Sequence, residues 1–434
     1  MARAHPSIRW RIDPATGSFR PWATSPLDST AVDIQLMVAL VIALALFFDF
    51  TNGFHDTANA MATPIATGAL KPRVAVAIAA VLNLVGAFLS TAVAQTISGG
   101  LIREGQDGVH VGPELIFAGL IGAIVWNMIT WLFGLPSSSS HALFGGLIGA
   151  AIVGVGFNAI DPGVLMSKIV LPALLAPVIA GGVSFIITKL AYRLTPPGSR
   201  HGFKVGQIFT SSLVSLAHGT NDAQKTMGVI TLTLIAAGFQ EAGSGPEFWV
   251  IAICAVAIAL GTYMGGWRII RTIGTGITAV KPIQGFSAEV STAASILAST
   301  HLGFALSTTQ VSSGSVIGVG LGKDRHSVNW RTAGRIAMGW LITLPAAAIM
   351  AALAALVANI GLVGIIIDAL VGVGVIVAIF VRSRRSKVSH ESFSPPINVS
   401  SSSHEPLMGA VESVVLPKAA RSLIKKNSKA AKTR

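Results

Sequence analysis

Two acidic residues stand at matching places in two copies of one short motif. Gly53-Phe-His-Asp56-Thr-Ala-Asn59-Ala-Met61 lines up with Gly219-Thr-Asn-Asp222-Ala-Gln-Lys225-Thr-Met227, and the Gly, Asp and Met all recur 166 positions apart. The first copy also holds Asp49, Asn52 and His55, and the second holds His218, Asn221 and Gln224. A carboxylate flanked by amide and backbone oxygens suits a hard cation, either a sodium ion or a proton. Asp56 and Asp222, with Asn59 and Asn221 beside them, are therefore expected to couple a cation. Glu289, in Gly285-Phe-Ser-Ala-Glu289, is a further carboxylate in apolar surroundings and joins that set.

A second pair of blocks has different chemistry. Pro136-Ser-Ser-Ser-Ser140-His141 precedes Gly145, Ile148 and Gly149, and Ser307-Thr-Thr-Gln310 precedes Gly314, Ile317 and Gly318, at an offset of 169. Pro136 should end one helix and the serines should cap the next, which is expected to begin near His141. A helix N-terminus offers free N–H groups and partial positive charge. Hydroxyls add further donors. Two such ends facing one cavity, supplied by Ser138, Ser139, Ser140, Ser307, Thr308, Thr309 and Gln310, would bind a tetrahedral oxyanion without an arginine. A lone block would read as a polar turn; the duplication favours the binding role.

The elements that must carry these residues are apolar. Of 434 residues, 52% are hydrophobic and 11% charged, well below the roughly 25% charged of soluble domains. Long runs such as 74–102, 115–135, 169–188 and 362–381 hold almost no charge. A bilayer-crossing helix needs about 20 such residues, and lipid leaves helices as the natural spanning form. Ten to twelve hydrophobic segments are expected, some short, in an all-α polytopic helix bundle of the cell membrane. Asn83, Gln95 and Asn127 are expected to hydrogen-bond between helices. Asp368 stands alone in the last run, and Cys254 reads as a small core residue.

The net charge of +13 does not indicate nucleic acid, because +8 of it lies in residues 382–434. The basic group directly after the last apolar run reads as a cytoplasmic anchor, and the Ser- and Lys-rich remainder as a disordered tail. The first 32 residues have four arginines and no apolar core, so they do not read as a cleavable signal.

Loop charge then sets orientation. Lys71 and Arg73 follow the first motif, whereas Glu241 and Glu247 follow the second. The next loop is acidic in the first half and basic (Arg268, Arg271, Lys281) in the second. Basic loops stay in the cytoplasm, so corresponding loops face opposite sides. That pattern predicts two inverted-topology repeats with re-entrant hairpins, the arrangement secondary transporters use to hold solute between halves. The expected organisation is an N-terminal tail (1–32), a first repeat (33–191), a basic linker (192–204), a second repeat (205–357), a last transmembrane helix (358–381) and the tail (382–434).

With these motifs the chain resembles the inorganic phosphate transporter (PiT) family, bacterial low-affinity type. The resemblance rests on Asn52 to Ala60, on Ala217 to Gly228, on the Ser-rich and Ser-Thr-Thr-Gln blocks, and on Gly265-Gly266-Trp267-Arg268-Ile269-Ile270-Arg271. It runs from about Phe48 to Arg335. It implies uptake of inorganic phosphate by cation symport, with phosphate between two hairpin tips and cations near the motif aspartates. His55 stands where many relatives have Asn, which points to proton coupling and to phosphate or a metal–phosphate complex as cargo. Sodium coupling, or sulfate as substrate, is the alternative. No cofactor is expected, and a homodimer is a possible assembly. A membrane enzyme acting on phosphate esters, with His55 or His141 as nucleophile or base, is the competing class. It would need a metal or arginine clamp. The motifs carry no arginine and no dense His/Asp cluster for metal, so neither a catalytic residue nor a metal ligand is assigned.

Overall fold

The computed structural model describes residues 10–12, 19–21, 34–103, 110–196, 200–385 and 388. Apart from a three-residue antiparallel pair, Trp10–Ile12 with Phe19–Pro21, the described chain is helical. The first half comprises α1 (Ile34–Ala66), α2 (Pro72–Gly86), α3 (Ala92–Thr96) with a π-helical extension to Leu101, α4 (Pro113–Leu132), α5 (Ser139–Gly154), the short α6 (Pro162–Val164) and α7 (Leu171–Leu194). The second comprises α8 (Arg200–Ala236), α9 (Phe248–Met264), α10 (Trp267–Arg271) with a π-helical extension to Gly276, α11 (Pro282–His301), α12 (Thr308–Lys323) and α13 (Trp330–Ala358). α14 (Leu362–Arg384) follows.

Five helices are long and apolar enough to span a membrane, or six if the bent pair Phe248–Met264 and Trp267–Gly276 is one span. Among the described residues, fewer helices thus qualify than the expected ten to twelve segments, because α2 and α5 are short, α3 and α10 are broken, and α8 and α11 are long enough but too polar. The bundle is polar at its centre and apolar outside. Val178, Ile186, Leu341, Leu353 and Leu370 on α7, α13 and α14 are all more than half exposed, while Asp56, Asp222 and Lys225 are buried. Such an inside-out distribution is stable only where the outer medium is itself apolar.

The halves interlock. α1 and α8 run antiparallel: Asn52 meets Asp222, and fifteen residues later, just past the end of α1, Thr67 meets Gln207, fifteen residues earlier in α8. Each of these helices also runs parallel to the second helix of the other half. Gly53 abuts Ile258 and Gly261 abuts Phe50, while Gly219 abuts Asn83 and Gly86 abuts Leu216. Any Cβ at these glycines would strike a backbone carbonyl, so hydrogen side chains let the backbones touch, as small residues do in membrane interfaces. The hairpin helices cross over in the same reciprocal way. α12 packs Gly314 on Pro177 and Gly318 on Gly181 of α7; α5 packs Gly145 on Leu344 and Gly149 on Ala348 of α13.

The turns entering α5 and α12 are also matched. α4 ends at Gly134 (φ 62°) and α11 at Gly303 (φ 67°), a left-handed conformation that favours glycine. Leu135 and Phe304 donate back to the Thr130 and Ser299 carbonyls to close each helix end. α7 and α8 leave only residues 195–199 between them, so the expected basic linker 192–204 is mostly helical. The start of the expected last span at 358 belongs to the end of α13; α14 begins at Leu362. The N-terminal and C-terminal tails lie almost wholly outside the described residues.

Candidate anion and cation site

The first motif is part of a continuous helix. It lies within α1, and the second lies within α8. Residues three, four and seven apart share a helix face, so Asn52, Asp56, Asn59 and Thr63 lie along one side of α1. His218, Asp222 and Lys225 do the same on α8. The antiparallel crossing then sets the two faces against each other.

Capping explains where α5 and α12 begin. Ser138 Oγ accepts the His141 N–H at 3.1 Å, and Ser307 Oγ accepts the Gln310 N–H at 3.3 Å. α5 therefore starts at Ser139, two residues before the expected His141, with Ser138 as its N-cap. Ser137 and Ser138 are wholly buried, so this helix begins inside the bundle and not at its surface. With the caps turned onto backbone, the next hydroxyls point inward. Ser139 Oγ donates to Asp56 Oδ2 at 2.9 Å. Thr309 Oγ1 donates to Asp56 Oδ1 at 3.2 Å. Thr308 Oγ1 lies between the two carboxylates, 3.2 Å from Asp222 Oδ2 and 3.5 Å from Asp56 Oδ2. Asn59 Nδ2 donates to both threonine hydroxyls.

Asp222 is ringed more heavily. Asn221 Nδ2 lies 2.8 Å away, Lys225 Nζ 2.5 Å and His218 Nε2 3.1 Å. Asn52 Nδ2 reaches it from α1 at 3.4 Å. His55 Nδ1 sits 2.6 Å from Asp56 Oδ1. Asn221 and Ser140 both donate to the Leu306 carbonyl, tying the second motif and the first tip to the second tip. Gln310 is buried at the tip, with Oε1 unpartnered among the described residues.

The fold thus gathers the expected residues with one exception. Glu289 accepts hydrogen bonds from Thr63, Gln207 and Thr210, about two helical turns along α1 from Asp56. It touches neither motif aspartate. Asn52, His55, His218 and Lys225 are the contacting residues that the expected site set omits; their spacing of one, three or four from each Asp is the signal that finds them. The reading that no His/Asp cluster exists is corrected: Asp56, His218 and Asp222 place ligand atoms within 4.8 Å of one another, because α8 delivers His218 across the interface. Among the interhelical amides, Asn83 donates to Thr262, but Asn127 is buried with neither amide atom bonded among the described residues. Gln95 is exposed. A basic cavity of about 500 Å³, lined by Arg268, Arg271 and Arg335, lies at the α10 break and contains none of the expected anion- or cation-site residues.

A cluster of buried polar and charged side chains drawn from both halves, inside an apolar helical shell, is the arrangement of a membrane protein with a functional polar centre. The chain belongs to the phosphate transporter family, whose model matches residues 52–201 and 194–351, and it is a multi-pass protein of the cell membrane. It is 53% identical over 372 residues to a probable low-affinity inorganic phosphate transporter of Mycobacterium tuberculosis, covering 83% of this chain and 87% of that one. A probable low-affinity inorganic phosphate transporter of Bacillus subtilis is 44% identical, covering 76% and 99%. A solved sodium-dependent phosphate transporter superposes with a TM-score of 0.66 at 25% identity, over 75% of this chain and 99% of its own. These are transporters, so the enzyme reading is set aside.

Proposed function

We propose that the chain takes up inorganic phosphate by cation symport, with the anion held between the α5 and α12 tips and the coupling cation at the motif aspartates. The observation that carries this reading is the contact of Ser139, Thr308 and Thr309 with the carboxylates of Asp56 and Asp222. Two capped helix starts and their hydroxyls attract an anion. Two buried carboxylates beside them repel it. Burying like charges together costs several kcal/mol per uncompensated ion, to order of magnitude. Phosphate therefore enters only with cations that neutralise the carboxylates, and that requirement is symport in physical terms.

The proton is the favoured coupling ion, because His55 hydrogen-bonds Asp56, His218 Nε2 lies 3.1 Å from Asp222, and imidazole nitrogens both donate and accept protons. Sodium is the second reading, supported by the sodium dependence of the structural neighbour. A divalent metal travelling with phosphate fits the Asp56, His218 and Asp222 group. We also infer that the halves form an inverted repeat with re-entrant hairpins; the antiparallel α1–α8 crossing and the buried start of α5 support it.

The test is uptake of labelled phosphate into proteoliposomes, with pH and sodium gradients imposed separately. Accumulation driven by either gradient is expected. Equal uptake with and without any cation gradient would sink the symport reading, and better competition by sulfate than by phosphate would remove the substrate.

A further inference from the structure

The duplicated motif is not chemically symmetric. The 166-residue offset pairs Asn52 with His218, Asp56 with Asp222 and Asn59 with Lys225. In the second half, both flanking positions hold nitrogen groups that lie against the carboxylate, and Lys225 hydrogen-bonds it. Lys225 Nζ is 2.5 Å from Asp222 Oδ1 and His218 Nε2 is 3.1 Å from Oδ2, with all three side chains buried. In the first half, the same positions are amides, and the nitrogen group at Asp56 is His55, 2.6 Å away but one residue off that register. Asn52 Oδ1 and Asn59 Oδ1 are buried and accept no hydrogen bond among the described residues. A buried acceptor left unsatisfied costs about 1–3 kcal/mol, so two of them beside one carboxylate ask for a positive partner. Three oxygens on one helix face are the hard donor type that a small cation takes.

We propose that Lys225 is a tethered cation permanently filling the second of two related cation sites, so that this chain carries one mobile cation, at Asn52, Asp56 and Asn59. The ammonium on Asp222 supplies the charge that a bound ion would otherwise supply. That mobile ion is a sodium ion or a hydronium, since either satisfies a carboxylate and two amide oxygens. Phosphate then meets one fixed positive charge from α8 and one that comes and goes with α1. This inference rests on the symport reading above.

The discriminating variant restores the symmetry. Purified Lys225→Asn is reconstituted, and the initial rate of labelled-phosphate uptake is measured against sodium concentration at fixed pH and against pH at fixed sodium. The two series distinguish the ions. A second mobile ion linked to transport should raise the cation exponent from about one in the unmodified chain to about two in the variant. Lys225→Gln, closer in size to lysine, is run in parallel and should give the same rise. An unchanged exponent in both variants, while the unmodified chain couples, overturns the tethered-cation proposal and leaves symport standing. An exponent of about two in the unmodified chain also overturns it. So does loss of uptake in both variants at every cation concentration, because a mobile ion should be able to replace the ammonium. If the unmodified chain shows no cation dependence, the symport reading itself falls and the proposal with it.

Discussion

At the residue scale, the site is built from short side chains that bond the motif carboxylates. Ser139 and Thr308 now donate to carboxylates, and the same hydroxyls are the proposed donors to phosphate. A hydrogen bond to a charged group contributes about 1.5–3 kcal/mol, so losing one weakens binding roughly ten- to a hundredfold. Ser139→Ala and Thr308→Ala should each raise the half-saturating phosphate concentration by that order, measured by uptake kinetics. Ser212 bonds only the Ile208 carbonyl, so Ser212→Ala should change it little. A defect in Ser139→Ala alone would tie the anion to one tip. The carboxylates make a second prediction. Asp56→Asn removes the negative charge that calls for a mobile cation, so gradient-driven accumulation should vanish while the protein still inserts; accumulation at the unmodified level would dismiss Asp56 from coupling. Glu289 has its own three partners away from the motif aspartates. Glu289→Gln should therefore leave the cation exponent unchanged even if it slows uptake.

At the element scale, glycine decides which helices can meet. Gly261 rests on the Phe50 carbonyl and Gly53 on that of Ile258, both beside the first motif on α1. Gly261→Leu has no room unless α1 and α9 separate, and a shift of this kind would pull Asp56 from Ser139. Overpacking of this sort costs about 1–3 kcal/mol. We expect lower thermal stability of the purified protein and loss of phosphate uptake, whereas Gly374→Leu on α14, where an added Cβ meets nothing within 4 Å, should leave both intact. An unaltered melting profile for Gly261→Leu would show that the α1–α9 contact is not close in solution. The hairpins carry the same lesson. α5 and α12 are each held by the long helix of the opposite half through Gly145, Gly149, Gly314 and Gly318, so a movement of α7 or α13 must carry the other half's tip with it.

At the scale of the whole molecule, the antiparallel register of α1 and α8 bears on topology. For helices that cross a bilayer, an antiparallel pair of matched helices puts their ends on opposite sides. A thiol placed at Glu241, after α8, should react with an impermeant reagent from outside, and one at Lys71, after α1, should not. Cys254 is wholly buried and should stay silent. Labelling of both positions from one side would end the inverted arrangement.

The sequence alone determined the medium, the duplication and the chemistry of the two motifs. Apolar runs too long and too uncharged for a soluble core dictate lipid. The offsets of 166 and 169 pair Asp56 with Asp222 and Ser139 with Thr308, and periodicity and residue type are local properties that survive without a fold. What the tertiary structure decided was which faces meet. The sequence could not tell that α1 continues through its motif, because a polar stretch in an apolar run reads equally as a loop. It could not bring His218 to within reach of Asp56, or send Glu289 to Thr63, Gln207 and Thr210. Those outcomes depend on the register at which helices cross, a register that backbone contacts at Gly53 and Gly261 help set for α1 on α9, and those at Gly86 and Gly219 for α2 on α8, between residues more than a hundred positions apart.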